Sequence, residues 1–140
     1  MSSERSLLRS KIETIQRCLS RINQEYKGFE ESFKTNYTKQ DSVILNLERA
    51  SQATIDIASH IIKARNLGIP KSSRELFVML ANGGYISEKV SKNMQNMVGF
   101  RNIAVHDYQN LNFEILISIL DNHLKDFEEF NKEIFNNYLN

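Results

Sequence analysis

Proline interrupts this chain once, at Pro70, in 140 residues. Proline breaks helices because it lacks an amide hydrogen and its ring clashes with the preceding turn. One proline and five glycines therefore leave room for long, unbroken helices. The apolar pattern uses that room. Leu8, Ile12, Ile15, Leu19, Ile22, Tyr26 and Phe29 recur at alternating spacings of four and three, which draws one stripe along a helix. Gly28 weakens or ends that helix, and Asn36-Tyr37-Thr38 reads as a connection.

Thr38-Lys39-Gln40-Asp41 resembles a capping box, with a carboxylate three residues after the capping hydroxyl. It predicts a second helix through Val43, Ile44, Leu47, Ala50, Ala53, Ile57, Ala58, Ile61 and Ile62, stopped by Gly68-Ile69-Pro70. Ser72-Ser73-Arg74-Glu75 is a second capping box before a short helix with Leu76, Phe77 and Leu80 inward, closed by Gly83-Gly84. Ile86-Ser87 starts a fourth helix, with Val90, Met94, Met97 and Val98 on one side. Asn112 caps the last, whose stripe runs from Phe113 through Ile117, Leu120, Leu124, Phe127 and Ile134 to Tyr138. Nothing reads as a strand. The expected fold is all-α, an antiparallel four- to five-helix bundle forming a single domain over 1–140.

Charge and cysteine content narrow the function classes. Eighteen basic and seventeen acidic side chains give a formal net charge of +1, so any nucleic-acid site must be a local patch. Cys18 is the only cysteine, which excludes an intrachain disulfide and argues against a cysteine zinc site. No apolar stretch approaches the roughly 20 residues of a membrane span, and no apolar leader follows Met1-Ser2-Ser3-Glu4-Arg5. A reducing, cytoplasmic location is expected.

The chemistry concentrates in Arg101-Asn102-Ile103-Ala104-Val105-His106-Asp107-Tyr108. Arginine holds phosphate in a bidentate fork, and histidine exchanges protons near neutrality. Together they suit metal-free phosphodiester cleavage. His106 would move protons, Arg101 would stabilise transition-state charge, and Asn102 would bond phosphate or orient His106. Asp107 is expected to face solvent or position a cation. On residue types alone, a favoured alternative is structural: both groups would cap carbonyls at a helix C-terminus. Five residues place Arg101 and His106 roughly 140° apart around a helix. Two arrangements would bring them together: the helix ends between them, or a two-fold dimer brings two copies of the segment into one cleft. Arg101 and Tyr108 would share a face if the helix continued.

Arg101 to Tyr108 matches the R-x4-H-x-Y motif of HepT-like toxins in the HEPN superfamily. Asn46-Leu47-Glu48-Arg49-Ala50, Ser72-Ser73-Arg74-Glu75 and Met97-Val98-Gly99-Phe100-Arg101-Asn102 resemble that family in content and order. The resemblance implies a HEPN-like homodimer with the motif at its interface and a metal-independent ribonuclease acting on RNA without a cofactor. It implies the toxin of a toxin–antitoxin pair whose partner, an MNT-type nucleotidyltransferase, attaches AMP to Tyr108. Arg101 and His106 match the family's catalytic pair. An alternative is a non-catalytic HEPN binding module that serves its nucleotidyltransferase; a third is that this chain is itself the antitoxin.

Other candidates read as structural. His60 is expected to be partly buried or at the surface, and His123 to face solvent, neither with metal-ligand spacing to a neighbour. Met94 and Met97 suit the core or a dimer seam. Lys63, Arg65, Lys71 and Arg74 form a solvated face or a track for RNA or antitoxin. Glu128, Glu129 and Glu133 keep the last helix soluble.

Overall fold

A computed structural model describes residues 2–106 and 111–140, without the side chains of Ser2, Val105 and His106. Among the described residues every regular element is helical: α1 (Ser2–Tyr26), α2 (Glu30–Phe33), α3 (Tyr37–Ala64), α4 (Ser73–Asn82), α5 (Glu88–His106), α6 (Phe113–Asn122) and α7 (Leu124–Ile134), closed by a π-helical turn at Phe135–Leu139. No helix among them is long and apolar enough to cross a membrane.

Helices α1 and α3 lie antiparallel. Lys11 Nζ meets Asp56 Oδ2 at 3.0 Å, and about four helical turns along α1, Lys39 Nζ approaches Glu25 Oε2 at 3.5 Å. The apolar stripe of α1 is buried against α3 as its spacing requires, with Leu8, Ile15 and Ile22 excluded from solvent beside Leu47, Ile57 and Ile61. Each such side chain contributes about 1.5–3 kcal/mol when fully buried. The phenylalanines of the later helices finish the same core. Phe77 of α4 meets Phe130 of α7 edge to face at 5.9 Å. At the other end Phe33 bridges Tyr26 and Phe113.

The boundaries differ from the sequence reading in four places. Helix α1 stops at Tyr26, and Gly28, at φ +84°, turns the chain where a side chain would be strained. Phe29 is thus outside the helix and half exposed, α2 follows it, and the expected connection Asn36-Tyr37-Thr38 is instead the cap and start of α3. Helix α3 is capped by Asn36, not Thr38: Asn36 Oδ1 accepts from the Lys39 amide at 3.0 Å. Gln40 Nε2 donates to the Phe33 carbonyl at 2.8 Å, tying the cap to α2. Helix α3 also ends before Gly68. Asn66 takes the left-handed conformation, φ 52°, and Leu67 and Asn66 donate back to the Ile62 and Lys63 carbonyls. This is a Schellman closure with asparagine in place of glycine.

The last helix is the fourth correction. It breaks at His123 into α6 and α7. No proline or glycine marks the break. Asp126 is 5% exposed and bonds His123 Nδ1 at 3.0 Å, while its amide donates to the His123 carbonyl. A buried carboxylate held by its own capping histidine makes the bend stable. The α4 ends follow the expectation, except that Glu75 reaches back to the Lys71 amide rather than that of Ser72. Ser72 accepts from the Glu75 amide to cap α4, and Gly83-Gly84 close it, with Tyr85 donating to the Leu80 carbonyl.

Tyr26 of α1 donates to Asp121 of α6 at 2.7 Å. Burial, and then the hydrogen bond and charge of Asp121, push the phenol up to about 12.

Candidate functional site

Helix α5 carries the site, and its neighbours hold it at both ends. Ser87 starts it: its hydroxyl accepts from the Val90 amide, and its own amide and hydroxyl donate to Glu133 of α7 at 2.6 and 3.0 Å. Glu133 is therefore a staple between helices rather than a solubilising charge. Two residues before Arg101, Gly99 leaves space for the Arg74 guanidinium of α4. A Cβ at position 99 would make that flexible side chain shift. Val90, Met94, Met97, Val98, Phe100 and Ala104 are buried, so both methionines belong to the core.

Arg101 is half buried at the C-terminal end of this helix. Its Nη2 donates to Gln52 Oε1 of α3 at 2.6 Å, and its Nη1 to Asn102 Oδ1 at 3.2 Å. Gln52 in turn donates from Nε2 to Asp56 Oδ1 at 2.9 Å, and Lys11 donates to the other oxygen of Asp56 at 3.0 Å. One guanidinium is thus oriented by a polar relay that crosses α5, α3 and α1. Guanidinium groups have five donors, so two bonds leave donors for an incoming anion. Asn102 accepts from Arg101 through Oδ1, and its side-chain NH2 remains a donor at an exposed position.

Helix α5 runs through His106, so it does not end between the two residues of interest. Their Cα positions therefore keep the roughly 140° separation of a regular helix. Within one copy they diverge. Along the same helix Asn102 is exposed, and Ile103, about 160° around from Arg101 and roughly 60° from His106, is 45% exposed. The His106 side chain, Asp107 and Tyr108 lie outside the described residues.

The remaining candidates are structural in this fold. His60 Nε2 lies 3.1 Å from Glu4 Oε1, which also receives the Tyr138 hydroxyl, and Arg65 covers the Tyr138 ring at 4.9 Å. These contacts join α1, α3 and the π-helical turn. The Tyr138 hydrogen bond, chiefly, holds the Glu4 carboxyl below its usual value. His123 is half exposed and engaged with Asp126. Among the described residues no three metal-ligating side chains converge.

Sequence reasoning missed Gln52, Asp56 and Lys11. A signal existed. Gln52 and Asp56 are four apart, which puts them on one face of a helix within reach of each other.

The family model described as Ribonuclease HepT-like matches residues 15–134. The chain belongs to this family. The mRNA nuclease HepT of Shewanella oneidensis is 53% identical over 121 residues, covering 86% of this chain and 90% of that one. The tri-AMPylated HEPN toxin of Shewanella oneidensis, solved in complex with MNT antitoxin, superposes with TM-score 0.86 at 51% identity, over 91% of this chain and 96% of that one. A toxin–antitoxin structure with AMP-PNP gives TM-score 0.86 at 49% identity, over 91% and 97%. YutE of Bacillus subtilis, a cytosolic protein of unknown function, is 14% identical with TM-score 0.81 over 94% and 88%, and shares the fold. The HepT-like fold therefore tolerates wide sequence change, while the toxins align closely with this chain over nearly its whole length.

Proposed function

We propose that this HepT-like protein is the ribonuclease toxin of a toxin–antitoxin pair, cutting RNA at a cleft shared by two copies and silenced by AMP placed on Tyr108. The observation that carries the reading is the Arg101 guanidinium, fixed by Gln52 on the helix that also bears His106. A cation held in one orientation beforehand stabilises developing charge without reorganising during the reaction.

In the proposed cleavage, a base takes the proton of the ribose 2′-hydroxyl. The freed oxygen attacks the adjacent phosphorus, and the bond from phosphorus to the 5′ oxygen breaks. An acid protonates the leaving oxygen. Imidazole suits both proton transfers because its unperturbed pKa is about 6.5. Arg101 takes the charge of the pentacoordinate phosphorus. Because Arg101 and His106 diverge on one helix, the productive pair joins Arg101 of one copy to His106 of another. The exposed Ile103 gives that two-fold contact an apolar seat. No step uses a metal or cofactor. The partner is an MNT-type nucleotidyltransferase, by analogy with the Shewanella complex, and the setting is the cytoplasm.

Purified, unmodified protein incubated with single-stranded RNA in EDTA should cleave it at the rate seen without EDTA. RNA that stays intact under both conditions would leave the non-catalytic readings, binding module or antitoxin; a strict metal requirement would end the proposed chemistry.

Gln52 acts by positioning. Gln52→Ala removes the acceptor that orients Arg101 and should lower kcat/KM by about 10-fold, the scale of one hydrogen bond to a charged group. Gln52→Glu keeps an acceptor oxygen and should recover most of the loss. Equal activity in wild type and Gln52→Ala would remove the relay from the mechanism.

A further inference from the structure

A second cationic site lies in the groove between α1 and α3. Arg17 and Arg21 of α1 and Arg49 of α3 line a recess of about 370 Å³, with Thr14 and Ser42 contributing hydroxyls. Three guanidiniums gather here in a chain whose net charge is +1. Arg17 donates to Thr14 Oγ1 at 3.3 Å. Among the described residues, none of the three forms an ion pair with a carboxylate. Asp41, the carboxylate in the lining, is already engaged. Cys18 forms the floor: burial raises its thiol pKa, and the charges of Arg49, Arg17 and Arg21 oppose that rise, so all three point their fields at one spot. Three cations against one carboxylate leave the recess with an excess of positive charge, which an anion would offset.

The recess is also aligned with the proposed active site. Arg49 and Gln52 are three residues apart on α3, a rise of about 4.5 Å and a rotation of roughly 60°. Gln52 is the residue that holds Arg101. The groove therefore begins about one helical turn along α3 from the residue that holds the guanidinium assigned to the scissile phosphate.

We infer that Arg17, Arg21 and Arg49 form a phosphate-binding subsite that holds the backbone of the RNA strand beyond the cleavage point. Planar forks with five donors each, flanked by hydroxyls, fit phosphate oxygens bidentately. The contacts carry no base information, so the subsite lends affinity and register and leaves sequence preference to the cleft. As a substrate track it rests on the ribonuclease reading; as an oligoanion site it stands alone.

The test separates the two. A fluorescent single-stranded 2′-O-methyl RNA lacks the nucleophilic hydroxyl, so binding is read without cleavage. Its affinity for the full chain is followed by anisotropy against salt. Each phosphate contact to a single strand contributes about 0.7 to the slope of log K against log salt. The Arg17→Gln/Arg21→Gln/Arg49→Gln variant should bind roughly 10- to 100-fold more weakly at low salt, with the slope shallower by about 2. Arg21→Gln alone, at an exposed position, should lower the slope by about 0.7 and decides the matter if the triple variant loses helical circular dichroism. On cleavable RNA, kcat/KM should fall by the same factor as the affinity. If wild type does not cleave but the slopes differ as stated, the function reading fails and the subsite stands. Unchanged affinity and slope in the folded variants would overturn it. So would intact RNA binding with loss of binding to the nucleotidyltransferase, which would make the groove a protein contact.

Discussion

Changing His106 to alanine should lower RNA cleavage about 10²- to 10⁴-fold, the range that positioned acid–base groups supply. Changing Arg101 to alanine should lower it about 10²- to 10³-fold, as when one donor to a developing oxyanion is removed. Both variants should keep the helical circular-dichroism spectrum. Position 106 is the last residue of α5. The Arg101→Ala variant forfeits its hydrogen bond to Gln52, at about 1 kcal/mol after allowance for partial exposure, which is a Tm shift of a few degrees. A structural role as a helix cap would show the opposite pattern, with stability falling and cleavage holding. Wild-type rates in either variant would remove that residue from the reaction.

The same pair of variants reads out which copy supplies which group. If Arg101 of one copy works with His106 of the other, mixing the two dead proteins rebuilds one good cleft in each mixed dimer. Random exchange then restores about a quarter of wild-type activity. If both groups act from the same chain, every cleft in the mixture lacks one of them and activity stays at the level of the parents. The unbroken helix through His106 argues for the first outcome, because roughly 140° of rotation separates the residues around α5.

The helices were legible because their signals are local. One proline, a stripe of apolar residues at spacings of three and four, the Ser72 cap and the Gly83-Gly84 closure each act within a turn or two of chain. Where two local signals compete, the choice passed to contacts from elsewhere. Asn36 and Thr38 are both good caps, and Gln40 reaching back to the Phe33 carbonyl accompanies the choice of Asn36. The break at His123 carries no local breaker at all. It is sustained by a carboxylate buried against α5, and burial of a single aspartate is not written in periodicity. The site divides in the same way. Arg101 and His106 stood out by residue type and by the family motif. The Arg101–Gln52 bond spans 49 positions in sequence, so the relay that orients the guanidinium appears only once α3 and α5 are packed.

Tyr108 is the proposed switch. Protein made together with its nucleotidyltransferase should gain the mass of one or more AMP units and lose RNA cleavage. The Tyr108→Phe variant, made the same way, should keep its unmodified mass and stay active. The transfer forms a bond from the phenolic oxygen to the α-phosphorus of ATP and breaks the bond to pyrophosphate, so phenylalanine offers no acceptor atom. The first unit places a negative phosphodiester on the residue two along the chain from His106, and each further unit adds another charge beyond it. A like charge about 6 Å from the RNA phosphate at an effective dielectric near 20 costs roughly 3 kcal/mol, on the order of 100-fold in binding, and the adenosine adds occlusion. Mass gain in Tyr108→Phe would move the modification to another side chain. Mass gain on Tyr108 without loss of cleavage would separate the modification from control of the toxin. The effect should also weaken as salt is raised, because charge repulsion is screened within about 10 Å at 0.1 M ionic strength whereas steric blockage is not. Silencing that persists unchanged at high salt would assign the switch to bulk rather than charge.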